Sequence, residues 1–550
     1  MENIDKMAKK EAANNIERQN PKGFWLFAIL ILVFLVAILA YDINRPFYGL
    51  HSWAQASGAW AARSHVKYGL AYTKGLSTWA VGMPPAANPQ RYMDHPELNV
   101  LVAAGFMEIF GINEWGMKLS EIIISVFVML VFILMLRDIA GNLAAIISAM
   151  IYLAFPITCY FGMGSWPVLL GYLSMWLYLI ITGHTGRTVK KFHYIILAIT
   201  LFLGIQFSWV GFFFAMGIGV HYVLACLFKK RLPNWPLLII LAAAPAASML
   251  LNFTIMAAGY GWDISKITSL YKWRAAKGEM QQMQSFDWNA WFAQLWEFAS
   301  TNFSVTGLII AIIYLTFGQL IVFTMPKDKT GKRQLQFPCF WLFFFIPFFQ
   351  LFVLRGCLWR HQTWEMPLTP FLAIAIAYAI IGIGWILKKN FNKHFALAVQ
   401  LIVAAVLLFS CFLGAKYYYD VRWQPEAKIE MFKKLNHQIP PDKALLSFED
   451  FIVNQNESKG GFIRPEIAWY LDRDITPAQT YEEIKKYAST GRYPYYLVPA
   501  VNELKPLLNR LAQDYPYELV QGVSGETAKN GRFLKAGMYP YMIFDLSGKK

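Results

Sequence analysis

The chain has 550 residues, of which 57% are hydrophobic, 17% aromatic and only 15% charged. Soluble domains carry about 25% charged residues, so lipid is the solvent for most of this chain. The net charge of +16 is then explained by basic cytoplasmic loops, and no nucleic-acid partner is expected.

Residues 1–22 form a polar tail. The apolar run behind it is too long for a signal-peptide core and lacks a small-residue cleavage site, so it is read as an uncleaved span. Runs long enough to cross a bilayer fall at 23–41, 116–136, 139–158, 166–183, 193–207, 209–228, 235–258, 303–325, 338–356, 366–387 and 395–415. That makes eleven predicted spans, with 193–207 the shortest. The basic stretches "GRTVKKFH" (186–193), "KKR" (229–231), "KDKTGKR" (327–333) and "KKNFNK" (388–393) alternate with non-basic connections. Placing all four in the cytoplasm satisfies the positive-inside rule and puts the N-terminus inside and the C-terminus outside. Cys159, Cys226, Cys339, Cys357 and Cys411 form no CxxC pair and lie in or beside apolar runs, which argues against a disulfide framework or a cysteine-held metal.

The outer loop 42–115 contains "SWAQASGAWAARSHVKYG" and "PELNVLVAAGFMEIFG". Both have helical apolar spacing but are too short or too polar to span, which predicts helices lying in the membrane interface. Residues 416–550 are rich in charge. "KALLSF", "YPYYLVPA" and "YPYMIFDL" read as strands, while "PEIAWYLD", "TYEEIKKYA" and "NELKPLLNRLAQDY" read as helices. This predicts a soluble α/β domain without a glycine-rich phosphate loop. The domain plan is therefore a tail (1–22), a transmembrane domain (23–415) and an extracytoplasmic domain (416–550).

Ionisable residues within the spans are sparse, with Glu121 and Arg355 near span ends, which disfavours an ion-coupled transporter. The polar clusters lie at the outer interface: His51, Arg63 and Lys67; then Arg91, Asp94, His95 and Glu97 in "RYMDHPE"; then Arg360, His361 and Glu365 in "WRHQTWEMPLTP". Such a layout suits a substrate with its tail in the bilayer and a phosphate at headgroup height. Cations would hold the phosphate, and a carboxylate would take a proton from an attacking hydroxyl. Loop 259–302 reads equally well as acceptor contact or loop packing. "NFS" at 302–304 and "NES" at 456–458 fit the N-glycosylation acceptor pattern and read as chance matches.

The order of "FYGLHSWAQASGAWAARSHVKYGL", "YMDHPELNVLVAAGFMEIFGINEWGMKL", "LRDIAGNLAAIISAMIYLAFP" and "LRGCLWRHQTWEMPLTPFLAIAIA" resembles that of the GT-C polyprenyl-phosphate-sugar glycosyltransferases. The likeness is greatest to glycosyltransferase family 39-like proteins, relatives of protein O-mannosyltransferases and aminoarabinose transferases. The resemblance covers about residues 23–390. It implies an inverting transfer of a hexosyl or pentosyl group from a lipid phosphate to a glycan, lipid or protein acceptor, at the outer face of a plasma (inner) membrane. By the same resemblance, the helix beginning at His51 forms a wall of the site, with Ser52, Gln55 and Arg63 on it. Arg360, His361, Arg355 and Arg91 are the expected donor-phosphate ligands.

One departure stands out. Family members carry an acidic residue early in that first helix, and His51–Ser57 contains none. Ser52 and Gln55, which occupy the place, do not titrate near neutral pH. Asp94, beside His95, is the chosen acid–base group, and Glu97 and Asp42 remain open. Some superfamily members use a divalent cation such as Mg or Mn, and the acid shortage here speaks against a tightly held one. A catalytically silent scaffold or lipid-linked-sugar binder is the alternative, and a transporter the third.

Overall fold

A computed structural model describes residues 21–41, 43–47, 52–92, 95–230, 232–265, 267–269, 287–324, 337–358, 361–422, 427–449, 451–454, 461–529 and 532–548. The chain folds as two compact units: Met1–Ile43, Asp94–Asn99 and Lys118–Tyr419 form the first, and Asn44–Met93, Val100–Met117 and Asp420–Lys550 the second. The sequence plan drew one boundary at 415/416. The structure instead groups most of the outer loop with the C-terminal residues.

The first unit is helical, and each of the eleven apolar segments holds a helix. Six are long and apolar enough to span a membrane: Lys22–Ala40, Glu114–Ala140, Val210–Phe228, Trp235–Gly259, Leu368–Asn390 and Lys393–Asp420. A seventh candidate is the pair Trp288–Asn302 and Val305–Gly318, bent by 109°. Asn142–Ala154, Trp166–Ile181, Lys191–Phe207 and Cys339–Val353 are apolar but shorter. Proline shapes several of these helices. Pro156 ends the 142–154 helix by opening a new one, Pro245 lies inside Trp235–Gly259 and Pro347 inside Phe337–Val353. Where helices cross, bulk is excluded: a Cβ on Gly171 would fall 2.4 Å from the Phe214 ring.

Burial sorts these helices by role. Leu368–Asn390 is 72% buried over its apolar window, whereas Lys393–Asp420 is only 17% buried. A helix apolar all round belongs in an interior or in lipid. The first case fits the 368–390 helix; the second fits the 393–420 helix, which exposes Leu401, Ile402, Phe409 and Phe412. An apolar surface of that extent is not stable in water, and the protein is an integral membrane protein.

The second unit carries a five-stranded sheet in the order Ile475–Pro477, Leu445–Ser447, Tyr495–Pro499, Arg532–Asp545, Tyr517–Lys529. The first three strands run parallel and the last two pairings are antiparallel. Successive side chains on a strand point to opposite faces, and the cores follow that alternation. Leu445, Leu497, Tyr541 and Ile543 enter one core; Leu446, Tyr496, Val498, Met542 and Phe544 enter the other. The first core also takes Ala56, Ala59 and Ala62 from the helix Ser52–Thr73. These alanines lie three residues apart, on one face of that helix, and their small size lets it approach closely.

Candidate functional site

In the first unit, a polar knot forms where the helix Trp288–Asn302 gives way to Val305–Thr324. Asp287 starts the earlier helix by accepting the amides of Asn289 (2.9 Å) and Ala290 (3.1 Å), an N-cap that satisfies otherwise unpaired donors. At the far end Ser304 sits at φ 60°, a left-handed conformation uncommon outside glycine. That turn produces the sharp bend and leaves Asn302 fully buried.

Asn302 joins three segments. Its Nδ2 donates to the Gln362 carbonyl (3.1 Å) and to Glu365 Oε2 (2.8 Å), and Tyr418 donates its hydroxyl to Asn302 Oδ1. Glu365 ends the single 3-10 turn Gln362–Glu365 and is wholly buried. Burial pushes its carboxyl well above the usual carboxylate range, and the Asn302 amide offsets this only in part. Glu365 Oε1 and Gln362 Nε2 have no hydrogen-bond partner among the described residues. A buried polar group left so costs about 1–3 kcal/mol, and two sit in one turn.

The same helix also meets Arg355, one of the residues expected at the donor phosphate. The Arg355 guanidinium lies 5.0 Å from the centre of the Trp288 ring, and Trp291 Nε1 donates to the Arg355 carbonyl at 3.1 Å. His361 is half-buried and its amide donates to the Cys357 carbonyl at 3.1 Å. Arg355, Gln362 and Glu365 are thus held by one helix, and Trp364 packs against the small core of Trp291, Leu351 and Leu358. Arg360 lies outside the described residues, as do Asp94, Asp42 and His51. His95 and Glu97 are half-buried just before the helix Leu98–Phe110. Among the described residues no three His, Cys, Asp or Glu side chains gather to hold a metal ion.

In the second unit the basic face of the helix Ser52–Thr73 is engaged by the fold. Arg63 donates to the carbonyls of Trp469 (2.7 Å) and Ala468 (2.9 Å) and pairs with Asp472 at 3.3 Å. Those carbonyls belong to the last turn of the helix Pro465–Leu471, where the Asp472 amide also donates to Ala468 and a cation complements the dipole. Lys67 pairs with the other Asp472 oxygen at 2.5 Å. Burial pulls the Arg63 and Lys67 pKa values down, and Asp472 draws both back up. His65 is buried, its Nδ1 is 2.8 Å from Thr73 Oγ1, and its pKa is pushed down to about 4 by burial. Ser52 is buried, Gln55 half-buried, and Arg91 lies in the short pair Thr78–Trp79 with Gln90–Arg91.

Sequence reasoning passed over four residues that organise these places. In the sequence Asn302 reads as a chance sequon, Glu365 belongs to a polar cluster without a role of its own, and Tyr418 and Asp472 carry no signal. The available cue was Glu365 itself, a carboxyl in a turn between two strongly apolar segments.

No family model matches the sequence, and no curated protein sequence matches it. Among solved structures the chain is similar to ArnT from Cupriavidus metallidurans bound to undecaprenyl phosphate. The TM-score is 0.57 at 13% identity, covering 96% of this chain and 98% of that one. It is also similar to the archaeal oligosaccharyltransferase AglB from Archaeoglobus fulgidus in complex with an inhibitory peptide and a dolichol-phosphate. There the TM-score is 0.52 at 11% identity, covering 90% of this chain and 73% of that one. Both are GT-C glycosyltransferases, and over nearly its whole length this chain has the GT-C fold.

Proposed function

We propose that this protein is a membrane glycosyltransferase that moves a sugar from a polyprenyl-phosphate donor to an acceptor at the outer face of the membrane. The observation that carries the reading is whole-chain likeness to two GT-C structures, whose bound molecules are undecaprenyl phosphate and dolichol-phosphate. The chain crosses the plasma (inner) membrane eleven times, with its N-terminus cytoplasmic and residues 416–550 outside. The four basic stretches on alternate connections support this topology.

In the proposed reaction an acceptor hydroxyl attacks the anomeric carbon, the C–O bond to the lipid phosphate breaks, and polyprenyl phosphate leaves with the bonding pair. Asp94, adjoined by His95, accepts the hydroxyl proton; Glu97 and Asp42 are the other carboxyl candidates. Arg360, His361, Arg355 and Arg91 neutralise the charge that grows on the leaving phosphate, the role electrostatic groups fill in such displacements. Ser52 and Gln55 line the first-loop wall. The absence of an acid from His51–Ser57 favours a second reading, a lipid-linked-sugar binder without turnover. A divalent cation such as Mg or Mn would supply further neutralisation of the charge on the leaving phosphate.

Mass spectrometry of lipids that co-purify with the full chain tests the class. A polyprenyl-phosphate sugar is expected, and the spectrum names it. Consistent recovery of phospholipids alone, even after enrichment of the membrane in polyprenyl-phosphate sugars, counts against both readings.

A further inference from the structure

The turn that carries His361 is short, and its own backbone bonds are few. The His361 amide donates to Cys357, the Trp364 amide to His361 and the Met366 amide to Thr363. What fixes this turn in place comes from elsewhere in the chain. Asn302, sixty residues earlier by its bond to Gln362, reaches both ends of the turn, at the Gln362 carbonyl and the Glu365 carboxyl. Tyr418 holds the other side of the Asn302 amide, so the amide has little freedom to rotate. The Tyr418 ring is itself stacked on Tyr160 at 5.2 Å and meets Phe161 edge-on at 5.7 Å.

We propose that Glu365 is a positioning residue: through Asn302 it fastens the 361–366 turn to the helix bend at 302–305 and to the helix that carries Tyr418, and so fixes the height of His361 at the donor phosphate. The last clause rests on the glycosyltransferase reading; the fastening does not. Three features support the assignment. Glu365 is wholly enclosed. The contact it makes is to an amide that bridges other elements, rather than to a cation. Ser304, two residues from Asn302, is held at a left-handed φ of 60° and caps the next helix through Gly307 (3.1 Å). The bend is therefore set at both of its ends, and the turn inherits its position.

The chemistry predicts which substitutions matter. Asn302 needs an acceptor at Oε2, and Gln supplies one of the same shape. Ala supplies none and removes the bridge. A group that must ionise or touch the reacting atoms would not tolerate Gln, whereas a positioning group would.

The test uses the full chain in lipid nanodiscs, with wild type, Glu365→Ala, Glu365→Gln and Asn302→Ala. Two quantities are read: hydrogen–deuterium exchange of the His361, Trp364 and Met366 amides, and the donor KM and kcat of sugar transfer. Glu365→Ala is expected to speed exchange about tenfold or more, the signature of local opening. It should also raise donor KM about tenfold with a smaller change in kcat, as misplacement of a binding group does. Glu365→Gln rescues both, and Asn302→Ala, on a different helix, reproduces the loss should Glu365→Ala not fold. Unchanged exchange in both alanine variants overturns the proposal, and so does a Gln variant as impaired as the Ala variant. If wild type transfers no sugar while the alanine variants still loosen the turn, the fastening is supported and the glycosyltransferase reading is what fails.

Discussion

Two carboxyl groups, Glu365 wholly buried and Asp472 half-buried, one in each unit, are treated in opposite ways. Asp472 is met by two cations, Arg63 at 3.3 Å and Lys67 at 2.5 Å. The side-chain bond to Glu365 comes from the neutral amide of Asn302. A buried charge is costly unless it is paired: two cations accompany Asp472, whereas burial raises the Glu365 pKa well above the ordinary carboxylate range. The difference bears on what a cationic cluster means. The "AARSHVK" segment has the composition of an anion site, yet its Arg and Lys are occupied in binding the helix Ser52–Thr73 to Asp472 and to the end of the helix Pro465–Leu471. In the bundle, Arg355 lies over the Trp288 ring, as Arg63 lies over Trp469.

The largest expected effect comes from breaking the ion pair. Arg63→Ala leaves Asp472 with Lys67 alone and takes the side-chain donor from two helix-end carbonyls. Removing one member of a buried pair costs up to about 3–5 kcal/mol, and the retained Lys67 keeps the loss below the top of that range. Thermal unfolding of the second unit, followed by tryptophan fluorescence, should report that loss. A shift under about 1 kcal/mol, the range of exposed pairs, would mean that Arg63 is solvated and that the contrast with Glu365 is false.

A smaller effect, of opposite sign in the two units, comes from pH. The pKa of His65 is lowered to about 4 from 6.5. Between those values the unfolded chain binds a proton that the fold refuses, so its stability contribution is full above pH 6.5 and falls as pH drops towards 4. The shift corresponds to about 3 kcal/mol. Glu365 is raised instead: its contribution is full below the ordinary carboxylate range and is lost as pH rises through its folded pKa. Denaturation midpoints measured from pH 4 to pH 7 should therefore rise for the second unit. The protection factor of the Trp364 amide, with the intrinsic pH dependence of exchange divided out, should fall over the same range. Parallel trends would break the comparison.

The apolar helices were legible because a long uncharged run has few alternatives once lipid is the solvent. The strands at Leu445–Ser447 and Tyr495–Pro499 were legible from short β-rich runs between turn residues. The grouping of the outer loop with the C-terminal residues was not. It depends on Ala56, Ala59 and Ala62 sharing a core with Leu435 and Leu445, and on Arg63 meeting carbonyls 405 and 406 residues away. Pattern reading sees neighbours within a turn or a strand, and small alanines do not announce a docking face. Asn302 was misread for a related reason: its tripeptide fits a surface modification pattern, whereas burial, which the tripeptide cannot encode, makes it a bridge. For the candidate site, clusters were legible as clusters, but not which of their charges the fold had already engaged.

The central claim is sugar transfer from a lipid phosphate with the leaving phosphate held by the "WRHQTWE" turn and the proton taken by Asp94. Its most direct test is release of polyprenyl phosphate from a radiolabelled polyprenyl-phosphate sugar in proteoliposomes, for wild type, Asp94→Asn and Arg360→Ala. Acceptor-dependent release by wild type, reduced about 100-fold or more in Asp94→Asn and in Arg360→Ala, is the predicted result. Release that is absent from wild type, or unchanged in both variants, would contradict the account.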